Sequence, residues 1–200
     1  MSRCDILLVG VGGQGVMTLG DLLVRAAFAA EFPASFCPTK GMAQRGGFVK
    51  VEVRLGVAGA GPRIGKRNAD VIVSMERSEA LKGLPYASAD AQFVLYDHVW
   101  EPTGVQLGQD TYPSIEDVTR AIETATEHLT VIAPSDVPSL DGKHVAANIV
   151  VLGTLVAQPR VAALLDVAHV RSVLETRWPK AKDANITAFE QGLELAEAPS

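Results

Sequence analysis

Residues 9–16 read Val-Gly-Val-Gly-Gly-Gln-Gly-Val, and no other stretch restricts the fold as strongly. The run before it, residues 4–9, is short and nearly all apolar. That pattern, stopped at once by Gly10, fits a central parallel strand buried on both faces. After it, Val16, Leu19, Leu23, Ala26, Ala27 and Ala30 recur at helical spacing and form one apolar face. Gly10, Gly12 and Gly15 therefore stand as G-x-G-x-x-G between a strand and a helix. A strand that turns directly into a helix needs residues without Cβ. The helix start then offers unpaired N–H groups and about half a unit of positive charge. The expectation is a strand–turn–helix opening with a phosphate-bearing or acidic ligand, or a partner chain, at the helix end. The alternative is that the glycines only permit a tight turn and close helix–strand packing.

The rest of the chain alternates in the same way. Residues 35–37, 70–74, 92–96 and 130–133 read as strands. Residues 49–55 alternate apolar and charged, which predicts a strand with Lys50, Glu52 and Arg54 on a wet face. Residues 56–67 are rich in Gly, Pro and Arg and read as an irregular loop. Helices are expected at residues 78–84, at 114–127 with Ser114 as cap, and at about 145–157, 166–177 and 181–197. The predicted class is α/β: a mostly parallel Rossmann-like sheet flanked by helices, with a helical carboxy-terminal part over about 145–200. Residues 1–200 are read as one domain.

Composition excludes several classes. The 200 residues are 48% hydrophobic and 20% charged, a globular mix rather than a disordered one. A net charge of −5 argues against a dedicated nucleic-acid binder. Two cysteines, Cys4 and Cys37, without CxxC spacing hold neither a disulfide scaffold nor an iron–sulfur cluster. They are expected on neighbouring strands as small buried hydrophobes. His98, His128, His144 and His169 lack metal-ligand spacing and read as surface or capping residues. Trp100 and Trp178 read as packing or subunit-interface anchors. No apolar stretch nears the ~20 residues of a membrane span, and the first residues do not read as a signal peptide. The expected location is the cytoplasm, with no membrane partner.

A second loop carries Gln44, Arg45, Gly46 and Gly47. The two glycines allow a sharp turn or close approach, and Arg45 adds a bidentate donor fork. Around it, residues 40–67 hold seven cations (Lys40, Arg45, Lys50, Arg54, Arg63, Lys66 and Arg67) against one acid, Glu52. A basic region beside a phosphate-type turn suits a polyanionic ligand, such as a nucleotide-containing thiol cofactor, or an acidic partner. A dinucleotide would normally meet an acid at the end of the second strand. None stands there, although Lys40 could meet the extra phosphate of NADP. A stand-alone NADP-dependent reductase and a non-catalytic nucleotide-sensing module thus remain as alternatives. Asn148 opens an apolar helix and either caps it or meets a ligand.

Taken together, Val-Gly-Val-Gly-Gly-Gln-Gly-Val and Gly-Met-Ala-Gln-Arg-Gly-Gly at 41–47 resemble the beta subunits of indolepyruvate:ferredoxin oxidoreductases, a gamma-type domain of the 2-oxoacid:ferredoxin oxidoreductases. The similarity continues through Glu76-x-x-x-Ala80-Leu81, Asn148-x-x-x-Leu152-Gly153 and Asn185-x-x-Ala188-Phe189-x-x-Gly192. One departure is Pro38-Thr39-Lys40, where this branch commonly has Glu-x-His. The resemblance implies an accessory subunit of an enzyme that decarboxylates a 2-oxo acid to an acyl-CoA and passes electrons to ferredoxin or a similar acceptor. It places thiamine diphosphate, Mg and iron–sulfur clusters on a larger alpha-type subunit and coenzyme A at the interface. Gly10, Gly12, Gly13, Gln14, Gly15, Gln44, Arg45, Gly46, Gly47 and Asn148 are the expected cofactor-contacting set. No residue stands out as a proton-transfer or nucleophilic catalyst.

Overall fold

The computed structural model describes residues 3–40, 46–56, 61–140 and 142–197. Its strands are β1 (Cys4–Val11), β2 (Ala34–Lys40), β3 (Phe48–Leu55), β4 (Ala69–Ser74), β5 (Ala87–Tyr96) and β6 (His128–Ile132). A small hairpin follows, β7 (Ser139–Leu140) with β8 (Lys143–His144). The helices are α1 (Val16–Ala29), α2 (Ala80–Gly83), α3 (Thr103–Gln106), α4 (Ile115–Glu123), α5 (Ala147–Ala157), α6 (Pro159–Ala162), α7 (Val167–Arg177) and α8 (Lys182–Glu197).

The six-stranded sheet runs β2-β3-β1-β4-β5-β6. β1, β4, β5 and β6 pair in parallel, as the alternating pattern predicts. β3 is antiparallel to both its neighbours, β1 and β2. It enters between the first two strands, so Cys4 and Cys37 are not on neighbouring strands, contrary to expectation. Cys4 is buried at the centre and Cys37 is half-buried on the edge strand. Burial pushes the Cys4 thiol up to about 12, with Asp70 and Asp5 adding to the effect.

Two apolar layers cover the sheet. Ile6, Leu8, Val51, Val53 and Val94 point into the larger one with Leu19, Leu23 and Ala27 of α1 and the apolar side chains of α5, α7 and α8. Leu7, Val9, Ile72 and Phe93 point into the smaller one with Ala80 of α2 and Val118 and Ile122 of α4. Ser114 caps α4, its Oγ accepting the Asp117 N–H at 3.1 Å. In the larger layer, α5 and α8 meet at Gly153 and Gly192. A Cβ on Gly153 would strike the carbonyl of Phe189, and one on Gly192 the carbonyl of Val150. Thr154 Oγ1 donates to the Gly192 carbonyl at 2.8 Å across the same contact.

The predicted wet face of β3 is covered. Glu52 is 1% and Lys50 9% exposed. Register explains why: Lys50, Glu52 and Arg54 lie opposite Val9, Leu7 and Asp5, so they share the face of the smaller layer. Their charges are met internally. Arg54 grips Asp5 with two hydrogen bonds at 2.9 and 3.1 Å. Lys50 Nζ lies 3.5 Å from Glu52 Oε1 and 4.7 Å from the centre of the Tyr86 ring. Glu52 Oε1 also accepts the Ile64 N–H at 3.0 Å, which holds the loop over this face.

Candidate functional site

Helix α1 lies on one face of the sheet and α2 on the other, so the chain changes side between β1 and β4. In such sheets a crevice opens beyond the carboxyl ends of the strands at that point. Here it is a cleft of about 460 Å³. The turn after β1 supplies Gly12, Gly13 and Gln14, and β4 leads into Met75. Tyr96 and His98 come from the end of β5, Trp100 from just beyond it, and Ala147 and Asn148 from the start of α5.

The glycine turn is shaped by neighbours on every side but one. A Cβ on Gly10 would come within 2.9 Å of Val16, Gln14 and Met75. Gly15 has φ 80°, in the left-handed region, and a Cβ there would reach 2.8 Å from Asn148 Cγ. Gly13 has φ 104° and no heavy atom within 4 Å of a built Cβ, so this backbone is open to an approaching ligand. Helix α1 begins without a side-chain cap and without an acid in its first turn. Its start keeps the partial positive charge and donor groups that suit an anion.

Not all of the turn is free for a ligand, as the motif alone would suggest. The Gly12 N–H donates to the Gly47 carbonyl at 2.8 Å, and the Gly46 N–H to the Gly12 carbonyl at 3.4 Å. The Val11 N–H donates to Gln14 Oε1 at 3.0 Å. The two glycine loops are therefore one unit, and Trp100 belongs to it: a Cβ on Gly46 would lie 3.0 Å from the indole Nε1. Gln44 and Arg45 lie outside the described residues.

The histidine beside the turn departs from the surface role expected for it. His98 Nδ1 is 3.1 Å from Gln14 Nε2, and the ring stacks on Tyr96 at 5.9 Å. Burial raises the Tyr96 phenol above its usual range. Asn148 is not the cap of α5; Ala146 holds that position, and Asn148 sits inside the first turn against Gly15.

Behind the cleft wall stands Glu76, fully buried. Its Oε2 accepts the Ser78 hydroxyl and the Glu79 N–H, each at 2.8 Å. Its Oε1 accepts the Trp100 N–H at 3.2 Å and the Tyr112 hydroxyl. Burial, helped by that bond to Glu76, pushes Tyr112 up to about 12. Arg77 adds a bidentate pair with Asp97, at 2.6 and 3.1 Å, and its N–H donates to the His98 carbonyl at 2.9 Å. The segment carrying His98 and Trp100 is thus tied to the end of β4. Burial raises the neighbouring Glu79 carboxyl, which pairs with Lys82 at 2.7 Å.

Among the described residues, most of the expected basic surround lies elsewhere. Lys50 and Arg54 are spent on internal pairs. Arg63, Lys66 and Arg67 precede β4 at the sheet end opposite the cleft, where the Arg67 N–H donates to the Pro85 carbonyl. Among the described residues, no lysine or arginine lines the cleft. The dinucleotide alternative meets a further obstacle. Lys40 ends β2, two strand spacings or roughly 10 Å from β1, because β3 intervenes.

Sequence reasoning found the glycine turn and Asn148 but missed Met75, Tyr96 and His98 as cleft residues. Their shared signal is position: each ends a predicted parallel strand or stands within two residues of its end. Among the described residues no group of three or more His, Cys, Asp or Glu could hold a metal ion. No helix there is long and apolar enough to cross a membrane.

Known proteins resemble this chain, some in sequence and some in fold. The indolepyruvate oxidoreductase subunit IorB of Archaeoglobus fulgidus is 32% identical over 195 residues, 97% of this chain and 96% of that one. The crystal structure of pyruvate oxidoreductase subunit PORC from Thermotoga maritima superposes with a TM-score of 0.69 at 20% identity, covering 97% of each chain. The 2-oxoglutarate:ferredoxin oxidoreductase of Magnetococcus marinus, solved with 2-oxoglutarate, coenzyme A and succinyl-CoA bound, matches with a TM-score of 0.66 at 18% identity; the match spans 100% of this chain and 32% of that one. Residues 5–195 match the family described as pyruvate ferredoxin/flavodoxin oxidoreductase. The continuous agreement, from the glycine turn to the last helix, places this chain in the pyruvate ferredoxin/flavodoxin oxidoreductase family.

Proposed function

We propose that this chain is the small accessory subunit of a 2-oxoacid:ferredoxin oxidoreductase of the indolepyruvate type, and that its cleft helps seat coenzyme A or the acyl substrate. In this reading a larger alpha-type subunit carries thiamine diphosphate, Mg and the iron–sulfur clusters, and electrons leave to ferredoxin or a similar acceptor. The observation that carries it is the cleft between β1 and β4, with an uncapped helix start on one side and Tyr96, His98 and Trp100 on the other. The full-length relation to an indolepyruvate oxidoreductase subunit supports the substrate class. The match to one third of a much longer oxidoreductase chain supports a larger partner.

The residues present bind and orient rather than make bonds. The start of α1 and the open side of Gly13 receive negative or carbonyl oxygen. Trp100 and Tyr96 provide flat apolar area, Asn148 provides an amide, and Gln14 holds His98. Holding two reactants in register is itself worth a large part of a reaction barrier.

The test is co-expression with the thiamine-binding subunit, anaerobic purification, and oxo-acid-dependent dye reduction with coenzyme A titrated. Trp100→Ala is expected to raise KM for coenzyme A or the oxo acid about tenfold, equal to about 1.4 kcal/mol. Failure of the chains to co-purify, or unchanged KM for both substrates, would overturn the reading.

A further inference from the structure

The Gln14 carboxamide has only one workable orientation. A backbone N–H can only donate, so the atom 3.0 Å from the Val11 nitrogen is the amide oxygen. The atom 3.1 Å from His98 Nδ1 is then Nε2, which can only donate. Nδ1 must accept, and the proton of the neutral imidazole is left on Nε2. The histidine has little freedom to escape this choice. Its ring stacks on Tyr96, its backbone N–H donates to the Tyr96 carbonyl at 2.8 Å, and its backbone carbonyl accepts the Arg77 backbone N–H.

We propose that Gln14 is a positioning residue that sets His98 as a hydrogen-bond donor in the cleft, so that the cleft selects a ligand group offering an acceptor oxygen, carbonyl or phosphoryl. The inference rests on the cleft being the ligand site argued above and adds the polarity of one contact. The glycine motif therefore acts twice: its glycines shape the turn, and its glutamine fixes a proton on a ring from the segment after β5.

Two measurements test it. In the full chain with 15N-labelled histidine, the His98 resonances are assigned by their loss in His98→Gln. Nδ1 is expected to resonate as an unprotonated nitrogen and Nε2 as a protonated one. Gln14→Glu replaces the donor with an acceptor and is expected to move a proton onto Nδ1. In the assembled complex, His98→Leu is expected to raise KM for coenzyme A or for the oxo acid at least tenfold, and the substrate affected identifies whose oxygen is bound. His98→Gln, which keeps a donor near the Nε2 position, is expected to stay within about threefold of wild type. A protonated Nδ1 in the wild-type chain, or a Gln14→Glu spectrum unchanged from it, would overturn the proposal. So would equal kinetics for His98→Leu and wild type. If Trp100→Ala still raises KM in that last case, the ligand site stands and only the donor assignment falls; if neither moves, both fall.

Discussion

Asn148 packs its side chain against the Cα of Gly15, so the first turns of α5 and α1 face each other across a gap that admits no methyl group. Gly15→Ala would add a left-handed backbone penalty of about 1–2 kcal/mol to a direct collision. The expected outcome is a loss of at least about 2 kcal/mol in urea unfolding, recovered in part by Asn148→Gly in the double variant. Additive losses would show that the two turns are not in contact.

The buried carboxylate of Glu76 collects donors from Ser78, Glu79, Trp100 and Tyr112. Tyr112→Phe removes one hydrogen bond to a charged group, worth about 1.5–3 kcal/mol. Unfolding followed by circular dichroism is expected to show that loss. Trp100 emission is expected to shift in the folded state as its segment loosens, which a change remote from the cleft wall would not produce.

The same bond has an alkaline signature. The Tyr112 hydroxyl is pushed up to about 12, mainly by burial and next by Glu76. The unfolded phenol ionises first, near pH 10. The stabilisation is therefore complete below pH 10 and lost as pH rises toward 12. The stability difference between wild type and Tyr112→Phe is expected to be constant from pH 8 to 9.5 and to shrink at pH 11. A difference that stays constant to pH 11 would contradict it.

At the crossing of α5 and α8, Gly192→Ala and Gly153→Ala each place a methyl group on a backbone carbonyl. Backbone cannot yield as a side-chain end can, so each is expected to exceed the usual overpacking loss and remove about 3 kcal/mol or more. Ala188→Gly, also on α8, opens a small void instead and is expected to lose roughly 1 kcal/mol. Denaturation midpoints of the three variants check the order.

The cysteines differ in reach. Cys4 is buried with its thiol pushed up to about 12, and Cys37 is half-buried on the edge strand β2. Thiolate is the reactive form. A thiol reagent at pH 8 is expected to modify at most one cysteine in the native chain, Cys37, and both after unfolding. Rapid native modification of Cys4 would mean that the centre of the sheet opens.

Much of the fold was legible because its signals are local. The apolar run of β1, the glycines after it and the helical spacing of α1 each follow from a few residues. The carboxy-terminal helices were expected at about 145–157, 166–177 and 181–197, and α5, α7 and α8 fall there. What escaped was pairing. Lys50, Glu52 and Arg54 read as a solvated face because alternation tells which residues share a side, not what covers it. Only the register against Asp5, Leu7 and Val9 shows the charges closed in on one another. The cleft escaped for the same reason. Gln14 and His98 are 84 positions apart, and nothing near either one announces the other.

The bare crossing of α5 and α8 ties the shape of the cleft to the far end of the chain. Asn148 rides on α5, and α5 is seated by Gly192 and its neighbours some forty positions later. A truncation or a bulky fusion that unseats the last helix would tilt that wall and deform the cleft, although every residue lining it remained intact.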